Sequence, residues 1–256
     1  MMNLLDPRLL VFVLFLVFFS VLEIVLPLRQ RPEGRVTTQI NNLLLLSVGR
    51  LVVKFLPFLA LAGVSSYAAE NDIGLFHQLD LPVAFRLILI LILLDFAIYL
   101  QHIIFHLVPV LWRLHAVHHA ENHLDATSGL RFHPLEIILS QGYKMLWVLL
   151  LGASIRELVL FEIILSSMAI FNHSNLALPA RVDRWLQYLI VTPRMHQMHH
   201  SIHKNEYNRN FGFNLSIWDR LFKTFIVDDE VELGLKYLPA QKSLWQMIVA
   251  PFIAWK

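Results

Sequence analysis

The stretch 83-VAFRLILILILLDFAIYLQHIIFHL-107 decides the fold class of this chain, because it joins a long apolar run to a group of polar side chains near its end. The run is long enough for an α-helix to cross roughly 30 Å of hydrocarbon at about 1.5 Å per residue. At about 100° per residue, four of these polar side chains fall within one stripe about 60° wide. They are Asp95, Tyr99, His102 and His106. Ionisable side chains in a membrane span usually face the protein interior, so the stretch predicts a membrane helix with a functional polar face.

Three further apolar regions set the rest of the fold. Hydrophobic residues make up 57% of the chain and the mean hydropathy is +0.58, which points away from the soluble globular class. Leu9 to Leu26 and Leu43 to Val64 predict two more spans, and Pro134 to Phe171, interrupted by GASIRE at 152–157, predicts a helical hairpin. We therefore predict an all-α integral-membrane helical bundle of about three spans plus the hairpin. No linker or repeat divides the chain, so residues 1–256 are expected to form a single domain.

The distribution of basic residues predicts the orientation of the bundle. Arg29, Arg31 and Arg35 join the first two spans, whereas the loop from Ser65 to Asp80 has no Lys or Arg. Short loops rich in Lys and Arg face the cytoplasm. By alternation, every histidine except His77 then lies on or near the cytoplasmic side, where we expect a helical cap that carries the histidine clusters. The expected location is the inner membrane of a bacterium.

Composition excludes several classes of function. The net charge is only +2, with basic and acidic residues interspersed, so direct nucleic-acid binding is not expected. The chain has no cysteine, which excludes disulfides, thiolate metal sites, iron–sulfur clusters and cysteine nucleophiles. Any bound metal must use nitrogen or oxygen ligands, and 13 histidines are present.

Eight of these histidines fall into three spaced motifs. An H-x-x-x-H motif at 102–106 places two imidazoles one helical turn apart, a spacing that lets both bind one metal ion. An H-x-x-H-H motif follows at 115–119 and recurs at 196–200; it supplies His115, His118, His119, His196, His199 and His200. In a helix, each such triplet covers an arc of about 100° and can face one cavity. One triplet alone is as compatible with a solvated surface patch as with a metal site, but eight imidazoles in three motifs favour two metal ions over one.

Other polar residues are candidates for supporting roles. His173, in FNHSN, is a candidate ninth ligand, and His133, in RFHPLE, is expected to cap or orient the hairpin. A metal-bound imidazole usually donates its other N–H to a carboxylate or carbonyl. The candidate partners, on the polar stripe or near the motifs, are Asp95, Tyr99, Glu121, Asp125, His133, Asn172 and Asp219.

Taken together, these residues resemble the fatty acid hydroxylase and sterol desaturase superfamily of integral-membrane, non-haem di-iron oxygenases. The resemblance rests on the three histidine motifs and on FHPLE, FNHSN, TPRMHQMHHS and NRNFGFNLSIWDRLFKTF, and it covers roughly residues 85 to 225. It implies that two iron ions and O2 hydroxylate or desaturate a C–H bond of a lipid such as a sterol, a hopanoid or a fatty acyl chain.

The resemblance also implies an external source of electrons. No G-x-G-x-x-G nucleotide-binding motif is present, so electrons from NAD(P)H are expected through a separate redox partner such as a ferredoxin, a cytochrome or a reductase. An acidic partner of this kind could meet four arginines, which would otherwise anchor the chain at the membrane surface. They are Arg113, Arg131, Arg194 and Arg220.

Two other classes of function stay open at the level of sequence. A zinc-dependent membrane hydrolase needs a general base beside its ligands, as in H-E-x-x-H, and no histidine here is followed by glutamate. A non-enzymatic divalent-metal transporter or sensor predicts ionisable residues spread over several spans, whereas these cluster at one end. A purely structural role would bury many imidazoles at a high cost.

Overall fold

The computed structural model describes residues 7–30, 32–228, 231–240, 243–253 and 255. Within these residues the chain forms twelve α-helices, four short 3₁₀ turns and no β-strand, so the predicted all-α class is confirmed. The long helices are α1 (Pro7–Val25), α2 (Arg35–Lys54), α4 (Val83–Leu107), α6 (Pro134–Leu151) and α7 (Ile155–His173). The shorter ones are α3 (Leu61–Glu70), α5 (Pro109–His119), α8 (Ala180–Leu186), α9 (Pro193–His199), α10 (Lys204–Tyr207), α11 (Ile217–Leu221) and α12 (Leu244–Val249).

Four of the described helices are long and apolar enough to cross a membrane: α1, α2, α4 and α6. The predicted first and third spans agree with α1 and α4 to within two residues at each end. The acidic residue within α1, Glu23, is fully buried, and its carboxylate accepts hydrogen bonds from the backbone N–H groups of Ala126 and Asn175. The chain is therefore built like a membrane protein whose polar groups turn inward.

The predicted second span, Leu43 to Val64, is wrong. The helix begins earlier, at Arg35, and ends at Lys54; a 3₁₀ turn at Pro57–Leu59 and the separate helix α3 follow. Proline lacks a backbone N–H and disfavours helical geometry in the residue before it, so the helix cannot run through Pro57. Average hydropathy does not detect this break, because the residues on both sides are apolar.

The predicted hairpin consists of α6 and α7. α6 ends at Gly152, whose left-handed backbone (φ 73°) closes the helix, and Ser154 begins α7 with a capping box shared with Glu157. The two arms then diverge: α6 packs against α2, α3 and α4, whereas the main partner of α7 is α1. The two helices of the hairpin therefore connect α1 on one side with α2, α3 and α4 on the other.

The histidine motifs and His77 lie at opposite ends of the bundle. At the histidine end, where α4 stops at Leu107, the loop after α1 is joined to the chain after α7, because Arg29 donates to the side chain of Asn175 and to Gln197. At the opposite end, His77 packs against Gly152. The predicted separation of His77 from the other histidines is therefore confirmed in space. Arg31, part of the predicted basic loop, lies outside the described residues.

Candidate metal centre

Proline and cap residues bring the histidine motifs to one place. α4 carries His102 and His106 in its last two turns and ends because Val108, before Pro109, leaves helical geometry (φ −89°, ψ 114°). Pro109 then begins α5, since proline fits the first position of a helix. α5 turns back beside the end of α4, and its final turns carry the second histidine motif.

The last motif lies on α9, which is short and well capped. The side chain of Thr192 accepts a hydrogen bond from the backbone N–H of Met195, and Pro193 occupies the first helical position. Met195 and Met198 are buried beside the histidines of the same helix. The cap and the apolar packing fix the direction in which the imidazoles project.

The structure sorts nine buried histidines into two groups that could each hold a metal ion. In each group every residue offers one imidazole nitrogen, and these nitrogens lie within 4.8 Å of one another. The five-histidine group consists of His102, His106, His115, His119 and His199. The four-histidine group consists of His118, His173, His196 and His200. All nine candidate ligands are thus brought together, including His173.

Each H-x-x-H-H motif is divided between the two groups. His115 and His119 point only about 40° apart on α5 and belong to the five-histidine group, whereas His118 projects about 60° to the other side of His115. In the last motif the first and final histidines, His196 and His200, belong to the four-histidine group, and the middle one, His199, belongs to the five-histidine group. The two groups therefore share two helices and lie side by side, with the rings of His119 and His200 stacked at 4.4 Å.

Hydrogen bonds on the outer nitrogens of two imidazoles turn their inner nitrogens toward each other. Nδ1 of His102 lies 2.9 Å from the carbonyl oxygen of Phe211, and Nδ1 of His115 lies 2.7 Å from Oε1 of Glu136, so both Nδ1 atoms donate. A neutral imidazole that donates from Nδ1 keeps a lone pair on Nε2. The two Nε2 atoms are 3.1 Å apart. Two lone pairs that face each other at this distance repel, unless a cation lies between them.

The four-histidine group has the spacing of a coordination shell. The Nε2 atom of His173 lies 3.0 Å from that of His118 and 2.9 Å from that of His196, which is 3.2 Å from that of His200. Nitrogen ligands at about 2.1 Å from one ion are roughly 3.0–3.4 Å from each other. The residues present therefore fit a metal ion.

Burial favours the neutral form of five of these imidazoles, which is the form that binds a metal ion. Burial lowers the pKa of His199 to about 3, although the carbonyl of Arg209 opposes the shift. Burial, followed by the neighbouring imidazoles, also lowers the pKa of His118, His119, His196 and His200 well below the ordinary value. These side chains offer lone pairs at neutral pH.

Comparison with known proteins identifies the family of this chain. A family model described as fatty acid hydroxylase matches residues 87–224, more than half of the chain, and the match contains all nine histidines. The chain belongs to the fatty acid hydroxylase family. The resemblance inferred from the motifs, over roughly residues 85 to 225, is confirmed.

The names of three relatives of this chain refer to three different lipids. The chain is 32% identical to the ornithine lipid hydroxylase OlsE of Rhizobium tropici, over 56% of this chain and 43% of that protein. It is 26% identical to the human alkylglycerol monooxygenase (56% and 31%) and 26% identical to the human cholesterol 25-hydroxylase (52% and 48%). The matches thus span less than half the length of these relatives. No solved structure matches the chain.

Two residues of the polar stripe on α4 bond away from the family's histidine motifs. The carboxylate of Asp95 accepts hydrogen bonds from the indole of Trp218 (2.7 Å) and from the backbone N–H of Leu215 (3.3 Å). The hydroxyl of Tyr99 lies 3.1 Å from that of Thr224. Both side chains tie the segment after residue 211 to α4.

The other predicted supporting residues, His133, Asn172 and Asp219, form hydrogen bonds outside the two histidine groups. His133 caps α6 and lies 3.1 Å from the carbonyl of Ile248, in keeping with its predicted capping role. Asn172 donates to the carbonyl of Phe213 (2.9 Å). Asp219 accepts from the backbone N–H of Phe211, the residue whose carbonyl accepts from His102. Among these three, Asp219 is the one joined by hydrogen bonds through a single residue, Phe211, to a histidine of the centre.

Two carboxylates expected beside the imidazoles belong to another network. Glu121 and Asp125 bind the guanidinium of Arg35 at 2.7 and 2.5 Å. Their expected place is taken by Glu136 and by Asn208, whose side-chain oxygen lies 3.2 Å from Nδ1 of His106. Sequence reasoning missed both, because the contacts join residues far apart in the chain and no spacing rule reaches across them.

The four arginines expected to meet an acidic partner are engaged within the chain. Arg131 is fully buried and donates to the carbonyl of Val117, so for this residue the expectation is wrong. Arg113 bonds the carbonyls of Pro251 and Ile253. Arg194 pairs with Asp183, and Arg220 bonds Gln187.

A cavity of about 390 Å³ opens beside the five-histidine group, at the end of α4. Among the residues that line it are His106, Trp112, Lys204, Tyr207, Tyr237 and Trp255. Trp112 stacks on Tyr207 (5.0 Å, 13°), and Tyr237 stacks on Trp255 (5.5 Å, 25°). Such aromatic walls suit an apolar chain near its polar end, because tryptophan and tyrosine combine an apolar ring with a polar tip.

Proposed function

We propose that this chain is a membrane-bound, non-haem di-iron oxygenase that hydroxylates a C–H bond of a lipid. One observation carries the proposal: the buried histidines of the five-histidine and four-histidine groups adjoin at the end of a helix that could cross a membrane. Imidazole ligands suit iron among several metals, and the absence of cysteine leaves no thiolate to favour zinc. Nine ligands in two groups correspond to two ions.

Iron in these groups would supply the redox chemistry with O2 that protein side chains lack. The chain itself contributes binding, orientation and shelter. Burial holds the imidazoles neutral and excludes water, and the partners on Nδ1 fix the ring planes. The cavity brings a substrate against His106.

We propose a membrane lipid as the substrate and hydroxylation as the reaction. The names of the relatives support both, since each is a hydroxylase or a monooxygenase and the names refer to an ornithine lipid, an alkylglycerol and cholesterol. The cavity at the end of α4 supports a lipid that reaches the site from the membrane surface, since the helix itself could cross the bilayer.

The proposed location is the inner membrane of a bacterium, with the histidine end in the cytoplasm. Arg29 and Arg35 lie at that end, as the positive-inside rule requires. Electrons would come from NAD(P)H through a separate ferredoxin, cytochrome or reductase, because the chain has no nucleotide-binding G-x-G-x-x-G motif.

We further propose that residues 1–256 fold as a single domain. Helices outside the family match are bonded to the segment that follows the second histidine motif. Glu23 of α1 accepts from the backbone of Ala126, and Arg35 of α2 binds Glu121 and Asp125. Buried hydrogen bonds of this kind join the two parts of the chain into one unit.

The test compares lipid extracts from cells with and without the protein by mass spectrometry. We expect one lipid class to gain a single oxygen atom, and His199→Ala to abolish the gain while membrane insertion is kept. His77→Ala, at the opposite end of the bundle, serves as the matched control and should leave the gain intact. Activity of the His199→Ala variant would remove this residue from the ligand set.

Metal content separates the proposal from a zinc hydrolase. Protein purified without air should contain about two iron ions per chain and consume O2 when reductant and lipid are added. A single zinc ion with no oxygen uptake would overturn the proposal. Zinc in protein prepared in air would not decide between the two functions, because nitrogen sites bind zinc more tightly than ferrous iron.

A further inference from the structure

Three imidazoles of the five-histidine group are held by one short segment, residues 208–212. The side-chain oxygen of Asn208 lies 3.2 Å from Nδ1 of His106. The carbonyl of Arg209 lies 2.8 Å from Nδ1 of His199, and that of Phe211 lies 2.9 Å from Nδ1 of His102. One side-chain oxygen and two backbone carbonyls of one short segment therefore fix candidate ligands from both α4 and α9.

The segment is itself held rigidly. Asn210 has a left-handed backbone (φ 52°), and its side-chain amide donates to the carbonyls of Met195 (2.8 Å) and Ile226 (2.6 Å). Asp219 accepts from the backbone N–H groups of Phe211 (2.8 Å) and Gly212 (2.7 Å). A Cβ atom at Gly212 would lie 2.6 Å from the Asp219 carboxylate, so this close approach requires glycine.

The four-histidine group lacks a corresponding clamp. His115 brings the number of held ligands in the five-histidine group to four, through Glu136. In the other group only His173 is held, by the carbonyl of Ala169 at 2.7 Å. Within the part of the chain that the structure describes, the buried Nδ1 atoms of the other three have no hydrogen-bond partner: His118, His196 and His200.

We infer that residues 208–212 and Asp219 are positioning residues for the five-histidine group, and that this group binds its metal ion more tightly than the four-histidine group. The inference rests on the proposed function, which requires an ion in each group. A partner on the outer nitrogen fixes the tautomer and raises the basicity of a ligand, and loss of such a partner typically weakens metal binding by about 10- to 100-fold. Four held ligands against one, and five ligands against four, act in the same direction.

The experiment removes metal from the full chain in detergent with a graded series of chelator concentrations and counts the ions retained per chain. Ferrous iron, without air, is the probe. We expect release in two steps, one ion at a time, with free-iron midpoints at least about tenfold apart. His196→Ala should abolish the weak step alone, which assigns that step to the four-histidine group.

Variants of Asn208 test the positioning role. Asn208→Ala should shift the tight step toward the weak one by about tenfold or more, whereas Asn208→Asp, which keeps an acceptor oxygen, should restore it. Asn205→Ala is the matched control, because Asn205 is exposed and lies on α10, three residues before Asn208. If Asn208 were merely structural, the alanine and aspartate variants would not differ in their effect on the tight step.

Other outcomes overturn the inference. Release of both ions in one step, or an effect of Asn208→Ala on the weak step or on neither step, would show that the segment does not set the affinity of the five-histidine group. In those cases two ions per chain would still support the proposed function. Fewer than two ions per chain at saturating iron would instead count against the proposed function itself.

Discussion

His173 is the last residue of α7, yet its Nε2 atom lies 3.0 Å from Nε2 of His118, 55 positions earlier in the chain. The residue belongs to none of the three spaced motifs, and the FNHSN stretch alone left its role as a candidate. Its Nδ1 donates to the carbonyl of Ala169, one turn back on the same helix. A local hydrogen bond therefore orients a candidate ligand toward partners that are remote in sequence.

We predict that His173→Ala removes one ion of two, because the four-histidine group would keep only three nitrogens. Iron content per chain, measured after purification without air, should fall from about two to about one, and lipid hydroxylation should be lost. His133→Ala is the control, since His133 is equally buried but lies outside both groups. Two retained ions in the His173→Ala variant would contradict the assignment.

A second effect at the residue scale concerns the buried ion pairs of Arg35. Burial alone would raise the pKa of Asp125, but the guanidinium of Arg35 outweighs this effect and holds the pKa below its ordinary value. Arg35 also binds Glu121 and the hydroxyl of Ser128. The pairs attach α2 to the segment that follows the second histidine motif.

We predict that Arg35→Met destabilises the protein by about 3–5 kcal/mol, because two buried carboxylates lose their counter-ion. The thermal midpoint in detergent should fall markedly. Lys54→Met, at the exposed end of the same helix, should change the free energy of unfolding by no more than about 0.5 kcal/mol. Equal midpoints for the two variants would show that the buried pairs do not stabilise the fold.

At the scale of elements, the turn between α6 and α7 sets where both helices end. Gly152 has a left-handed backbone, and a Cβ atom there would lie 2.4 Å from the ring of His77 and 2.9 Å from the carbonyl of Ile73. Arg86 also donates to the carbonyl of Gly152 and to Glu157. The opposite end of the bundle is thus locked at one residue.

We predict that Gly152→Ala costs roughly 1–3 kcal/mol, since the new side chain adds both backbone strain and a clash. Gly142→Ala is the matched control, because Gly142 lies within α6 and a Cβ atom there would meet nothing within 4 Å. That change should be neutral or should stabilise the helix by up to about 1 kcal/mol. The measurement is the thermal midpoint of each variant, and a harmless Gly152→Ala would contradict the prediction.

At the scale of the whole molecule, the fold holds a set of neutral imidazoles that would take up protons if the chain unfolded. Burial lowers the pKa of His199 from 6.5 to about 3. Between these values the unfolded chain binds a proton at this site and the folded chain does not. The stability of the metal-free protein is therefore fully present above about pH 6.5 and falls as the pH is lowered toward 3.

We predict that the thermal midpoint of chelator-treated protein drops steadily on acidification below about pH 6.5, and that bound metal delays the drop because it stabilises the folded state. Midpoints measured at a series of pH values with and without iron check this. Replacement of the exposed His203 by glutamine should leave the dependence unchanged. A midpoint independent of pH in the metal-free protein would show that burial does not hold the imidazoles neutral.

How much the sequence revealed depends on the distance between the residues involved. The apolar run of α4, the hairpin punctuated at Gly152 and the helical spacing of His102 and His106 are all local, and each was predicted correctly. The break at Pro57 was also local, but an average over apolar neighbours concealed it. The supporting roles expected of Glu121 and Asp125 failed because their partner, Arg35, lies 86 and 90 positions away.

The sequence by itself determined that this chain is a helical membrane protein with three histidine motifs at one end, because hydropathy and helical periodicity are properties of neighbouring residues. Only the tertiary structure decided which imidazole joins which group, that Glu136 and Asn208 orient two of them, and that aromatic residues wall a cavity beside His106. The physical reason is that a coordination shell needs nitrogens about 3 Å apart from several helices. Such proximity depends on how whole helices pack.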